Sequence, residues 1–102
     1  MVETHTINEM VQYQDGAIVS RTLVKKAAGT VTLFAFDKGE SLSEHTSPYE
    51  ALVLVLDGAG QITVGGEAHQ VLAGQTITLP AGVPHALKAE HPFKMMLVMI
   101  RE

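Results

Sequence analysis

Apolar and polar residues alternate in short stretches along most of the chain, and each stretch ends at a glycine or a proline. Ile62 and Val64 fall on one side of the repeat, Gln61 and Thr63 on the other. Ile77 and Leu79 oppose Thr76 and Thr78, and Val31 and Leu33 oppose Thr32 and Phe34. Successive side chains of an extended chain point to opposite faces, so this two-residue period predicts half-buried strands. Glycines and prolines from Gly16 to Pro92 punctuate the pattern and leave eight predicted strands: Ala17–Lys25, Thr30–Phe36, Ala51–Leu56, Gly60–Val64, Glu67–Leu72, Thr76–Leu79, His85–Lys88 and Phe93–Ile100. No run of ten or more residues carries a helical period, and Thr4–Gln12 reads as either a turn of helix or an arm. Many short strands with regular turn signals predict an all-β sandwich or barrel.

Two stretches refine this picture. Ala51–Leu56 is apolar without alternation, which predicts burial on both faces, either in the centre of a sheet or beneath a second subunit. Val64-Gly65-Gly66-Glu67 predicts a tight hairpin, since two glycines supply the positive φ such a turn needs. Met95, Met96 and Met99 read as adaptable filler of a doubly buried strand, with some of them lining a pocket or a subunit contact.

Composition narrows the function classes. The 102 residues suffice for one domain. We divide them into an N-terminal arm, residues 1–16, and a barrel domain, residues 17–102. With 46% hydrophobic and 18% charged residues the chain is globular. It is also rich enough in apolar groups to suggest a subunit interface. The net charge of −4 and the scatter of the seven Lys and Arg exclude a basic nucleic-acid footprint. There are no cysteines, hence no disulfide and no thiolate metal site. The longest apolar run is far short of a membrane span, and the first ten residues lack the apolar core of a secretion signal. A cytoplasmic protein is expected.

The chemistry lies in two segments. The first runs Gly39-Glu-Ser-Leu-Ser-Glu-His45-Thr-Ser47-Pro-Tyr-Glu-Ala51 and closes at Gly58; the second runs Gly74-Gln-Thr-Ile-Thr-Leu-Pro80-Ala-Gly82-Val-Pro-His85 and continues to Ala89. Together they resemble the two motifs of the cupin family. The resemblance covers about Thr30 to Ile100 and implies a cupin jelly-roll barrel, a double-stranded β-helix made of two antiparallel sheets. It also implies a homodimer and a pocket at the barrel mouth. A metal-binding cupin takes two His and one Glu from the first motif and one His from the second. Here His45 and His85 remain, Ser47 stands at the second His position, and Ala51 stands at the Glu position.

His45 and His85 are therefore the expected metal ligands, for one divalent transition metal (Zn, Ni, Fe or Cu) or for none. Glu50 is a candidate general base or auxiliary ligand, although strand alternation turns it away from Ala51's face. Ser47, Tyr49 and His69 are candidate ligand-binding residues, against readings as turn chemistry for the first two and as a packed core histidine for the third. His91 reads as a solvated loop residue and His5 as part of the arm. The resemblance implies a small-molecule-binding protein, with dioxygenase, isomerase and lyase chemistry all represented in the family. The alternative is a metal-free ligand-binding or sensor domain. No nucleic-acid or membrane partner is expected.

Overall fold

A computed structural model describes residues 2–102. It contains a short 3-10 turn at Ile7–Glu9 and nine strands: β1 (Ile18–Lys26), β2 (Gly29–Phe36), β3 (Ser41–His45), β4 (Glu50–Asp57), β5 (Ala59–Val64), β6 (Glu67–Leu72), β7 (Thr76–Leu79), β8 (His85–Lys88) and β9 (Phe93–Ile100). A five-stranded sheet in the order β1-β2-β9-β4-β7 faces a four-stranded sheet in the order β3-β8-β5-β6, and every pairing is antiparallel. This is the expected two-sheet barrel. The eight strands read from the sequence are all present, and β3 is added.

The core lies between the sheets. Register fixes its composition, because residues paired across neighbouring strands share a face. Ala51, Val53 and Val55 of β4, Met95 of β9, Phe36 of β2 and Ile62 and Leu87 of the opposite sheet are all buried there. Phe36 and Phe93 stack with centroids 4.6 Å apart and planes 8° from parallel. The stack needs Gly60, because a Cβ there would come within 2.7 Å of the Phe93 ring. The Gly65-Gly66 hairpin forms as read, with φ of 59° and 82°.

The outer face of the five-stranded sheet is covered over only part of its length. Val11 is buried against Leu33 and Ala35, with Ile7, Met10, Tyr13, Leu56 and Met96 around them. Polar contacts pin this segment down. Lys94 Nζ donates to the Asn8 carbonyl (2.6 Å), and the Tyr13 hydroxyl donates to Asp57 (2.5 Å). Two-sided burial of Ala51–Leu56 thus holds only in part: Leu56 is covered by the N-terminal segment, whereas Leu52 is 42% exposed.

Candidate functional site

The site is built from two strands that pair across the barrel mouth. In β3 and β8, Leu42 is opposite Leu87 and His45 is opposite His85. His45 is three positions beyond Leu42 but His85 is only two positions from Leu87, so β3 carries a bulge. In a regular strand that odd spacing would point His45 away from the core. The extra residue turns it back onto the face of Leu42 and His85. Gly82, at φ 75°, forms the bend before β8, and its N–H donates to the Ser47 carbonyl at 2.8 Å, tying the two motif turns together.

The imidazoles meet with Nε2 atoms 3.0 Å apart and ring centroids 4.3 Å apart in an edge-on arrangement. His45 Nδ1–H donates to the Ser43 carbonyl (2.7 Å) and His85 Nδ1–H to the Val83 carbonyl (3.3 Å). A carbonyl oxygen can only accept, so both Nδ1 atoms carry the hydrogen. In the neutral rings each Nε2 then presents a bare lone pair, and the two lone pairs face each other. Two acceptors cannot bond to one another, so the gap is a site for an electrophile: one shared proton, or a metal ion.

The rings close one end of a cavity of about 150 Å³ that is also lined by Phe34, Leu42, Ser47, Tyr49, Ala51, Leu79, Leu87, Met95, Leu97 and Met99. Its walls are almost wholly apolar, with His45, Ser47, Tyr49 and His85 as the polar groups. His85 is 6% exposed, and burial together with positive charge on His45 pushes its imidazole below the ordinary histidine range; the Val83 carbonyl opposes this weakly. Unfolded histidine takes up its proton near pH 6.5. Stability linked to His85 is thus complete above that pH and is lost as pH falls through the lowered native value. Melting temperature is expected to drop between pH 7 and 5, and to drop less in His85→Gln; equal profiles would contradict this account.

The other sequence candidates fall in different places. Ser47 lines the cavity, and its Oγ accepts from the Tyr49 N–H (3.1 Å), so it serves the turn as well. Tyr49 lines the rim and carries the Arg101 guanidinium over its outer side at 5.6 Å. Glu50 pairs with Ile100 on the outer side of the sheet and lines a groove with Pro48, Ala81 and Glu102, away from the rings. His69 is opposite Ile62 on β6 and lines a separate open cleft of about 600 Å³ with Val71, Gln75 and Ile77. That cleft is larger, but it brings together no second titratable group. Of the three methionines read as strand filler with some lining a pocket, Met95 and Met99 line the cavity, whereas Met96 lies under the N-terminal segment. Strand parity separates them, since Met95 and Met99 are four residues apart and Met96 is out of phase.

Among the described residues no group of three or more His, Cys, Asp or Glu could hold an ion. The four-ligand set of the motif is therefore not reproduced. The two nitrogens do fit a metal. Imidazole nitrogens bind such ions at about 2.0–2.1 Å, so two on one ion lie roughly 3–4 Å apart, and 3.0 Å falls at the near end of that range.

Comparison with known proteins agrees with the fold. The family model described as "Cupin domain" matches residues 32–101. An uncharacterized protein of Streptomyces coelicolor is 34% identical over 71 residues, covering 70% of this chain and 66% of that protein. Quercetin 2,3-dioxygenase of Bacillus subtilis is 32% identical over 62 residues, covering 59% of this chain but 18% of the enzyme. The chain thus spans less than two thirds of either protein. A crystal structure of a conserved protein of unknown function from Streptococcus pyogenes superposes with a TM-score of 0.94 at 37% identity, covering all of this chain and 90% of the other.

Proposed function

The chain belongs to the cupin domain family, and on that premise we propose that it binds one transition-metal ion between His45 and His85 beside a pocket for a small, largely apolar molecule. The observation that carries this reading is the pair of Nε2 lone pairs 3.0 Å apart, each fixed by a backbone carbonyl on the far side of its ring. Locking the tautomer through Nδ1 is how metal-binding histidines are oriented. A bound ion would supply Lewis acidity or a site for oxygen chemistry. The protein's own residues would orient the ligand against Phe34, Leu79 and Leu97, exclude water and leave Tyr49 at the rim.

Size limits the ligand. A cavity of about 150 Å³ matches one that stays dry and takes up benzene, so the fitting molecule has on the order of six non-hydrogen atoms. A three-ring flavonol exceeds that volume. The likeness to quercetin 2,3-dioxygenase therefore bears on family and not on substrate.

The test is metal analysis of protein purified without a nickel column. About one ion per chain is expected, and it should be lost in both His45→Ala and His85→Ala. A metal-free protein whose melting temperature ignores added Zn²⁺, Ni²⁺, Fe²⁺ and Cu²⁺ would overturn the reading. If small apolar molecules still stabilised that protein, it would be a metal-free binding domain.

We further propose that the chain is a homodimer. Val24, Val31, Val98 and Leu52 are directly opposite one another on successive strands, forming an apolar row across the outer face of the five-stranded sheet. Val24 is 45% exposed and Leu52 42%. The next row reads Lys26, Gly29, Ile100, Glu50. A second copy related by a two-fold axis along the strands sets Val24 over Leu52 and Lys26 over Glu50, reciprocally. The total surface of 6193 Å² also exceeds the roughly 5,600 Å² expected for a monomer of this mass. Leu52→Glu is expected to convert a dimer at about 100 μM to monomer by light scattering; a monomeric wild type at that concentration would refute the interface.

A further inference from the structure

We propose that Arg101 recognises an anionic ligand, so that the cavity takes the apolar body of a small carboxylic acid and leaves its carboxylate at the rim; this deepens the pocket half of the reading above and rests on it. Met95, Leu97 and Met99 line the cavity from the inner face of β9, and Arg101 is the next residue in phase. The ladder carries this phase past the end of the strand, because the Arg101 N–H donates to the Ala28 carbonyl at 2.7 Å. The guanidinium lies 5.6 Å from the centre of the Tyr49 ring, which itself lines the cavity. Arg101 thus stands just outside the cavity wall, at the side where Tyr49 closes it. Polar groups continue on the same face: Thr30 is opposite Met99, and Lys25 is opposite Thr30.

The state of this arginine points to an anion. Its Nε is buried and has no hydrogen-bond partner. Among the described residues no carboxylate lies within 4.0 Å of the guanidinium, although the chain carries 11 acidic residues against seven Lys and Arg. Glu50 and Glu102 line the groove on the outer side of the sheet, and Arg101 is not among the walls of that groove. A buried donor without an acceptor is uncommon in a folded protein. Contact with the face of Tyr49 does not use the in-plane N–H donors, and their fork matches the two oxygens of a carboxylate. Volume sets the apolar body. About 150 Å³ takes one benzene ring, and benzoate is the simplest acid built on that ring.

The experiment uses the full chain at pH 8, above the ordinary histidine range, freed of metal and cleared of chelator. Benzoate, benzamide and benzene are titrated in turn and followed by NMR. Benzoate should bind at least about 10-fold more tightly than benzamide, which has nearly the same shape and no charge, and should shift the Arg101 Nε–H signal. Arg101→Met should abolish that preference and leave benzene binding unchanged. Arg101→Lys, which keeps the charge and loses the fork, should restore the preference in part. Loading the protein with Zn²⁺ should not alter the dependence on Arg101. Benzamide binding as tightly as benzoate, or a preference that survives Arg101→Met, would overturn the anion site, while benzene binding would leave the cavity standing. A preference gained only with Zn²⁺ and kept in Arg101→Met would put the carboxylate on the ion and overturn the assignment to Arg101. If none of the three molecules binds, the pocket reading fails as well.

Discussion

Gly58→Ala is expected to cost roughly 2–5 kcal/mol, which is a large share of the 5–15 kcal/mol that holds a typical domain together. Two effects combine. Gly58 sits at φ 71°, where a side chain costs about 1–2 kcal/mol. A Cβ there would also come within 2.3 Å of the Pro92 carbonyl oxygen and 3.2 Å of Phe93 Cα, both of them backbone atoms that cannot rotate aside. The chain would have to shift, at an overpacking cost of roughly 1–3 kcal/mol. The shift would reach the site, because this turn joins β4, which carries Ala51, to β5, whose Val64 is opposite His85. Gly16→Ala is the control. Its φ is 67°, but a Cβ there meets nothing within 4 Å, so only the backbone cost of about 1–2 kcal/mol applies. Urea unfolding of the two variants separates the terms. Equal losses would show that the close approach of Gly58 to Pro92 contributes nothing.

The strands were legible because most are half-buried, and half-burial imposes alternation. The buried face then followed for Ile62 and Ile77 without knowledge of long-range contacts, whereas Ala51–Leu56, which does not alternate, left the face of Val53 open. β3 was not legible for the same physical reason. Ser-Leu-Ser-Glu-His has one apolar residue, and as an exposed edge strand it needs no more. Its bulge also defeats counting, since parity from Leu42 puts His45 on the wrong face. The motif spacing located His45 where alternation could not. Glu50 shows the reverse: alternation turned it away from Ala51's face, and the structure sets it there. The lone-pair confrontation was invisible in the sequence because it depends on two backbone carbonyls, Ser43 and Val83, whose directions are set by the bulge and by the turn before β8. The exposed Leu52 and the covered Leu56 read alike in sequence. They differ only because Val11 and Tyr13 fold back over one end of the sheet.

Restoring the missing carboxylate is expected to strengthen binding of a divalent ion. Ala51 is 6% exposed, faces inward and lines the cavity with both imidazoles, so a glutamate placed there points its carboxylate toward them. Without metal, Ala51→Glu should lose about 1–3 kcal/mol, from crowding a packed wall and from taking a polar group out of water. With a divalent ion the same group becomes the anionic ligand the site lacks. Removing even an outer partner of a metal ligand typically costs 10–100-fold in affinity, so a direct ligand should add at least about 100-fold for Zn²⁺. At a fixed excess of metal that gain corresponds to about 2.7 kcal/mol of added stability, enough to offset most of the loss. The variant should therefore melt below the wild type in chelator and recover when Zn²⁺ is added. A folded Ala51→Glu protein that binds Zn²⁺ no better than the wild type would mean that position 51 does not face the ion. The neutral donor set could then no longer be blamed on the loss of a carboxylate there.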